Sequence, residues 1–503
     1  MNPFKNQVVV NLLVSCSSFL SSIVISLLLV PYLVNHIGIA AYGFIPLAMF
    51  LTEYITLITQ AITSSINRFF TLSYSKGNLA EAKKIFNTSL VIISFVSLLI
   101  FLVLIYPIYH PESFFNIGSD ILYDVKWLFV LVFINFLISL ITSVFNVALY
   151  AKNRVDCIQV LNIIRVLIRF LFIILLFNYA EVSLISVGIA SIISGVIVFL
   201  ISIFLFFHFL PDIEINIFFF DRKLIRNLIT FSSWLLISQL GFILFAKIDL
   251  LLVNVFFGDQ KLGEYAVVSQ LSSQLRVAFG VLVGVISPFI LLKYTELKKN
   301  DFIRFLTSLY FIVCYLIFAS LICLSVYSSD IIHFWIGDKY IQLSDILQLL
   351  LMGVGFMIAP TPLYCYINTI GKVKFAAIIT VISGITNLAL SILLVKFTNL
   401  GYLAIALSSL IIIFARDFII IPIYVFGVLN KVMKKYFFSL TRFCTISIIM
   451  WIVSFFIGEH IVINSIYNLI FTLILNFVLL ITIIGALIYF IEVKEIKGIF
   501  DAN

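Results

Sequence analysis

The chain is poor in charge. Only 11% of its 503 residues are Asp, Glu, Lys or Arg, whereas a soluble domain carries about 25%. No water-soluble fold can hide a composition that is 63% hydrophobic, so lipid must solvate most of the surface. A G-x-x-x-x-G-K-[ST] phosphate loop is missing, which excludes an ATP engine within the chain. So are a G-x-S-x-G turn, a zinc spacing and paired carboxylates on a polar loop, and with them goes a catalytic reading. Six cysteines (Cys16, Cys157, Cys314, Cys323, Cys365 and Cys444) lie in or beside apolar runs without a C-x-x-C pair, and read as small apolar fillers. The histidines His36, His110, His208, His333 and His460 have no H-x-x-x-H spacing, so neither metal nor cofactor is expected.

What is present is long apolar runs, with Phe alone supplying 53 residues. Fourteen segments approach the roughly 20 residues needed to cross a bilayer. They are 8–34, 42–66, 86–109, 127–150, 157–179, 182–207, 228–257, 265–292, 305–328, 346–370, 375–395, 401–427, 436–457 and 463–491. The first exceeds the about 7–15 apolar residues of a signal peptide, so it is expected to stay as a helix. With the N-terminus placed inside, 22 of the 31 Lys and Arg fall in inner loops. Only Lys126, Lys261, Lys339 and Lys396 fall outside. This asymmetry predicts both termini in the cytoplasm and explains the net charge of +8 as topology, not nucleic-acid binding.

A faint repeat divides the chain. Gly38-x4-Gly43 and Gly258-x4-Gly263 stand 220 residues apart, and Asn153-Arg154-Val155 and Gly371-Lys372-Val373 stand 218 apart. The fold class expected is an all-α membrane protein with two pseudo-symmetric six-helix lobes and two further C-terminal helices. The lobes would be 1–207 and 228–427, joined by a cytoplasmic linker at 208–227. Residues 428–503 would supply the extra helices and a cytoplasmic tail.

Charges inside the membrane carry the functional signal, since each is costly unless paired or facing a polar cavity. Arg165 and Arg169 share one helix face at i, i+4 spacing. Arg169 lies roughly 18 Å from the inner end of its helix, and Arg276 lies at a similar depth from the outer end of its own. Two like charges on one apolar face require an anion or water between them. Arg165, Arg169, Arg276 and Lys247 are therefore the candidate contacts for an anionic substrate. Glu53 and Asp249 are candidate coupling acids; Glu53 reads equally as a structural partner of Arg165 or Arg169. Lys247 and Asp249 also read as closing an outer vestibule. Arg68, Arg416 and Asp417 are candidate inner-gate residues, with Arg416 and Asp417 alternatively snorkelling to the inner interface. Adjacent helical residues do not face each other, so no pairing between these last two is expected. Pro31, Pro46, Pro107, Pro288, Pro360, Pro362 and Pro422 allow bending, and Ser15, Ser17, Ser18, Ser21 and Ser22 suit a cavity or close helix packing.

Several motifs resemble those of Wzx-type oligosaccharide flippases. They are Pro31-Tyr32-Leu33 before Gly38-x4-Gly43, and Ile248-Asp249-Leu250-Leu251-Leu252-Val253 before Gly258-x4-Gly263-Glu264-Tyr265-Ala266. Gly371-Lys372-Val373-Lys374, Asn387 and Gly401-Tyr402-Leu403-Ala404 complete the set. That family belongs to the superfamily of multidrug extruders of the MATE type and lipid II flippases. The resemblance implies two six-helix lobes around a cationic cavity that opens alternately to each side. It implies a bacterial cytoplasmic-membrane protein that moves undecaprenyl-pyrophosphate-linked oligosaccharide to the outer leaflet for capsule, O-antigen or exopolysaccharide assembly. Implied partners are the lipid-linked glycan, membrane lipids and a polysaccharide polymerase; without an ATP engine, transport is expected to draw on an ion gradient of H+ or Na+, on membrane potential or on the substrate's own gradient. One departure is that helix 1 lacks the arginines of lipid II flippases, which argues against a peptidoglycan precursor. Two rivals are an ion-coupled multidrug exporter, whose site should be net acidic, and a membrane glycan polymerase or transferase, which should carry a large outer loop.

Overall fold

The computed structural model describes residues 3–216, 221, 248–284, 286–428, 433–461 and 463–488. Among them every regular element is helical. The first seven helices are α1 (Pro3–Ile37), α2 (Ile39–Ser75), α3 (Leu79–Tyr109), α4 (Leu122–Phe145), α5 (Val147–Ala151), α6 (Val155–Tyr179) and α7 (Leu184–Phe209). Then come α8 (Ile248–Gly284), α9 (Ile286–Glu296), α10 (Lys299–Val326), α11 (Ser328–Ile336), α12 (Ser344–Ile358) and α13 (Thr361–Thr369). The last are α14 (Val373–Phe397), α15 (Leu403–Phe414), α16 (Ile421–Val428), α17 (Met433–His460) and α18 (Ile466–Ile488), with a π-helical turn, Ala415–Ile420, between α15 and α16. Ten segments among the described residues are long and apolar enough to cross a membrane, so this is a multi-pass membrane protein. Most of the expected span 228–257 lies outside the described residues.

Backbone contacts divide the chain into two units, Met1–Ile243 with Leu250–Ala266, and Leu244–Asp249 with Val267–Asn503. Part of the packing scheme recurs in both units. In the first, α7 lies against α4 and α6, and α3 against α4; in the second, α15 lies against α12 and α14, and α10 against α12. Small residues make the α4–α7 contact possible. A methyl group on Gly188 would come 2.7 Å from Leu131 Cδ1, and one on Gly195 would overlap the Asn135 side chain. Such close approach replaces the hydrophobic drive that lipid cannot provide.

The repeat extends to backbone detail. Gly38 and Gly258 both hold positive φ, 81° and 83°, where the chain breaks direction before the next helix. Asn153 and Gly371 also have positive φ, 55° and 70°. Each closes the same C-terminal motif, with Arg154 N–H donating to Leu149 O and Lys372 N–H to Ile367 O. The second glycines of the two turns meet. A Cβ on Gly43 would lie 2.7 Å from the backbone N of Gly263, and one on Gly263 would overlap the Ile39 carbonyl.

Pro360 separates α12 from α13, so one predicted span becomes two helices. Pro31, Pro46 and Pro107 are accommodated inside helices. The α1 hydroxyls of Ser15, Ser17 and Ser22 donate to carbonyls of their own helix four residues earlier. Part of the predicted linker runs along α3, where the buried Asn87 amide donates to Glu214 O and accepts from Asn216 N–H.

Candidate functional site

Helix α6 carries two arginines that have no ion pair among the described residues. Arg169 lies just past the middle of this 25-residue helix, with Arg165 one turn before it. Both side chains are half-buried, and both Nε atoms are inaccessible to solvent and make no hydrogen bond. Leaving a charged donor in that condition is costly, and among the described residues no ion pair reaches either guanidinium. Arg169 lies within electrostatic reach of Tyr42 in α2.

The first turn of α6 is anchored differently. Asp156 accepts from Arg154 Nη2 at 3.0 Å and from Gln7 Nε2 at 2.9 Å, while its backbone N–H donates to Asn11 Oδ1 at 3.0 Å. These bonds tie α1 to α6. Nothing in the apolar pattern of α1 announces them, although Gln7 and Asn11, spaced i, i+4, are among the polar residues of its first turns.

In the second unit polar side chains converge on Asp249. Ser408 Oγ donates to Asn387 Oδ1 at 2.9 Å, Asn387 Nδ2 to Ser409 Oγ at 3.1 Å, and Ser409 Oγ to Asp249 Oδ2 at 3.0 Å. The result is a one-directional donor chain ending on a carboxylate. Asn387 and Ser408 are fully buried. Sequence reasoning singled out Asp249 but placed it beside Lys247 at an outer vestibule; Asn387 was noticed only as a motif residue.

Arg416 and Asp417 correct both expectations made for them. Neither snorkels: they are 5% and 0% exposed. They also face each other, with Arg416 Nε 2.9 Å from Asp417 Oδ1 and Nη2 2.7 Å from Oδ2. The π-helical turn Ala415–Ile420 carries both residues, so the regular α-helical spacing used to separate them does not apply. Tyr364 on α13 adds a 2.7 Å hydrogen bond to Asp417.

The remaining candidates are dispersed. Arg276 is half-buried on α8 in the second unit, and Arg68 is exposed near the end of α2. Lys247 lies outside the described residues, as does the side chain of Glu53. The described residues contain no cluster of His, Cys, Asp and Glu fit to hold a metal ion.

The family described as "Polysaccharide biosynthesis protein" matches residues 8–291, more than half of the chain and including α6. The chain belongs to that family. A relative in Bacillus subtilis (strain 168), the uncharacterized membrane protein EpsK, is 24% identical over 419 residues, covering 83% of this chain and 82% of its own. Among solved structures, the lipid II flippase MurJ in an inward closed conformation aligns with a TM-score of 0.71 at 18% identity, covering 95% of this chain and 99% of its own. An inward-facing MATE-family multidrug transporter of the MOP superfamily aligns with a TM-score of 0.66 at 10% identity, covering 84% and 99%. This member of the polysaccharide biosynthesis family thus has the fold shared by MurJ and MATE transporters.

Proposed function

We propose that this family member is a flippase that carries undecaprenyl-pyrophosphate-linked oligosaccharide repeat units from the inner to the outer leaflet of a bacterial cytoplasmic membrane. The product would feed capsule, O-antigen or exopolysaccharide assembly, with both termini of the flippase cytoplasmic and a polysaccharide polymerase downstream. Arg165 and Arg169, whose buried Nε atoms have no hydrogen-bond partner among the described residues, carry this reading. A pyrophosphate crossing a low-dielectric region needs a counter-charge that does not deprotonate and that can bind several oxygens together, and arginine offers both. Arg276 is the proposed basic contribution of the second unit. Membership in a polysaccharide biosynthesis family favours a glycan cargo over a drug. An exporter of organic cations would be repelled by the same arginines.

Coupling to an ion is assigned to Asp249. Its carboxylate terminates the Ser408–Asn387–Ser409 chain, whose oxygens and donors can adjust to a proton or a small cation such as Na+.

The test is translocation in vesicles containing the purified protein. A polyprenyl-pyrophosphate-linked oligosaccharide should cross, and the same glycan on an uncharged polyprenol should cross at least tenfold more slowly. Equal rates would show that the anion is not what the protein recognises, and no transport of either would remove the flippase assignment.

A further inference from the structure

A cleft in the second unit has the chemistry of a phosphate-ester site. It encloses about 630 Å³ between the C-terminal ends of α9, α13 and α16 and the N-terminus of α10. That is within the usual size of a small-molecule site. Its floor is aromatic. Tyr294, Phe302 and Tyr366 form a triangle with ring centroids 5.3, 5.4 and 5.8 Å apart. Phe302 and Tyr366 are buried, whereas Tyr294 reaches the surface. Lys299 and Lys372 line the same cleft, and both are exposed. Neither has an ion-pair partner among the described residues. The contrast with Lys293 just outside is direct, since that ammonium is held by Glu296 at 2.6 Å.

The wall is also built to hold its shape. Tyr424 stacks on Phe375 at 4.0 Å and donates to the Lys372 carbonyl at 3.4 Å, so the turn carrying Lys372 is tied to α16. Two lysines without ion-pair partners among the described residues, in one cleft with three aromatic rings, suit a ligand with an anionic head and a carbon skeleton that can lie on rings. A phosphate ester brings more negative charge and more acceptor oxygens to two lysines than a single carboxylate does.

We propose that this cleft binds a phosphate ester at the membrane surface, through Lys299 and Lys372, with its glycerol or sugar portion on Tyr294, Phe302 and Tyr366. Two sources share that chemistry, an anionic phospholipid headgroup and a soluble sugar or glycerol phosphate. The site does not use Arg165, Arg169 or Asp249, so it stands even if the flippase reading falls.

The experiment uses the full chain in two settings. In nanodiscs, retention of phosphatidylglycerol against phosphatidylcholine is measured by native mass spectrometry. In detergent, binding of sn-glycerol 3-phosphate is measured by calorimetry. The variant Lys299→Gln with Lys372→Gln is compared with Lys298→Gln with Lys374→Gln, which removes equal charge from neighbouring exposed positions outside the cleft. The cleft pair should lose about tenfold or more in affinity, the scale of one lost charge-assisted contact, and the control pair should stay within about twofold. Loss in the nanodisc setting alone identifies the headgroup as the ligand; loss in detergent identifies a soluble ester. Equal loss in both pairs would reduce the effect to surface charge and overturn the proposal, as would absence of binding in both settings.

Discussion

Helices α6 and α14 stand at equivalent places in the repeat, yet they treat charge in opposite ways. They begin at Val155 and Val373, an offset of 218 residues, and the same offset relates Arg169 to Asn387. In α6 that position is an arginine whose buried Nε has no partner. In α14 it is a fully buried amide that gives and accepts hydrogen bonds within its own unit. The duplicated scaffold therefore retains its packing while its polar contents diverge. In α6 the two arginines have no ion pair among the described residues, whereas in the second unit Asp249 accepts from Ser409 and Arg416 pairs with Asp417.

This contrast is sharpest where a charge pair is broken. Asp417→Asn should destabilise the protein by about 3–5 kcal/mol, because it strands the Arg416 guanidinium in a buried site. Thermal unfolding in detergent measures the loss. The same substitution beside Arg416→Met should recover most of it, since Asn can still accept from Tyr364; failure of that rescue would show that Asp417 acts through something other than the pair.

In α6 the reverse pattern is expected. Arg169→Ala should lower glycan translocation by about a hundredfold, the effect of losing a charge-assisted contact in a dry site. Its unfolding temperature should stay level or rise, because the wild-type guanidinium has no internal partner to lose. Arg169→Lys should restore part of the activity. A large stability loss with unchanged transport would make Arg169 structural and erase the contrast.

A smaller effect is expected from Ser409→Ala. It removes the donor to Asp249 and the acceptor for Asn387, so about 1–2 kcal/mol of stability should go. The dependence of transport on proton or Na+ gradients should shift as well; Thr at this position should preserve both. Smallest of all is Lys83→Ala, which breaks an exposed 3.4 Å pair with Glu214. Exposed pairs contribute little, and a change in unfolding temperature above the equivalent of about 0.5 kcal/mol would mean that this linker contact is stronger than its geometry implies.

Much of the fold was legible because lipid imposes simple rules. Apolar runs of bilayer length must close their own backbone hydrogen bonds, so they become helices. The glycine pairs announced the turns, and the positive φ of Gly38, Gly258 and Gly371 is the conformation for which glycine is suited. The site was less legible. Arg165 and Arg169 stood out because isolated charge in an apolar run is costly wherever it points. Asn387, Ser408 and Ser409 did not, since neutral polar residues are common in membrane helices and only their convergence on Asp249 distinguishes them. The pairing of Arg416 with Asp417 was read wrongly because a regular helical period was assumed where a π turn intervenes.

The linear order of residues alone determined the solvent, the helical class, the duplication and the unusual arginines of α6. Each follows from local composition or spacing, and each is settled by the cost of placing that segment in lipid. Tertiary structure decided which charges are neutralised. A hydrogen bond between Asp249 and Ser409, 160 residues apart in the chain, depends on two helices meeting at one register, and no spacing within either helix encodes that meeting.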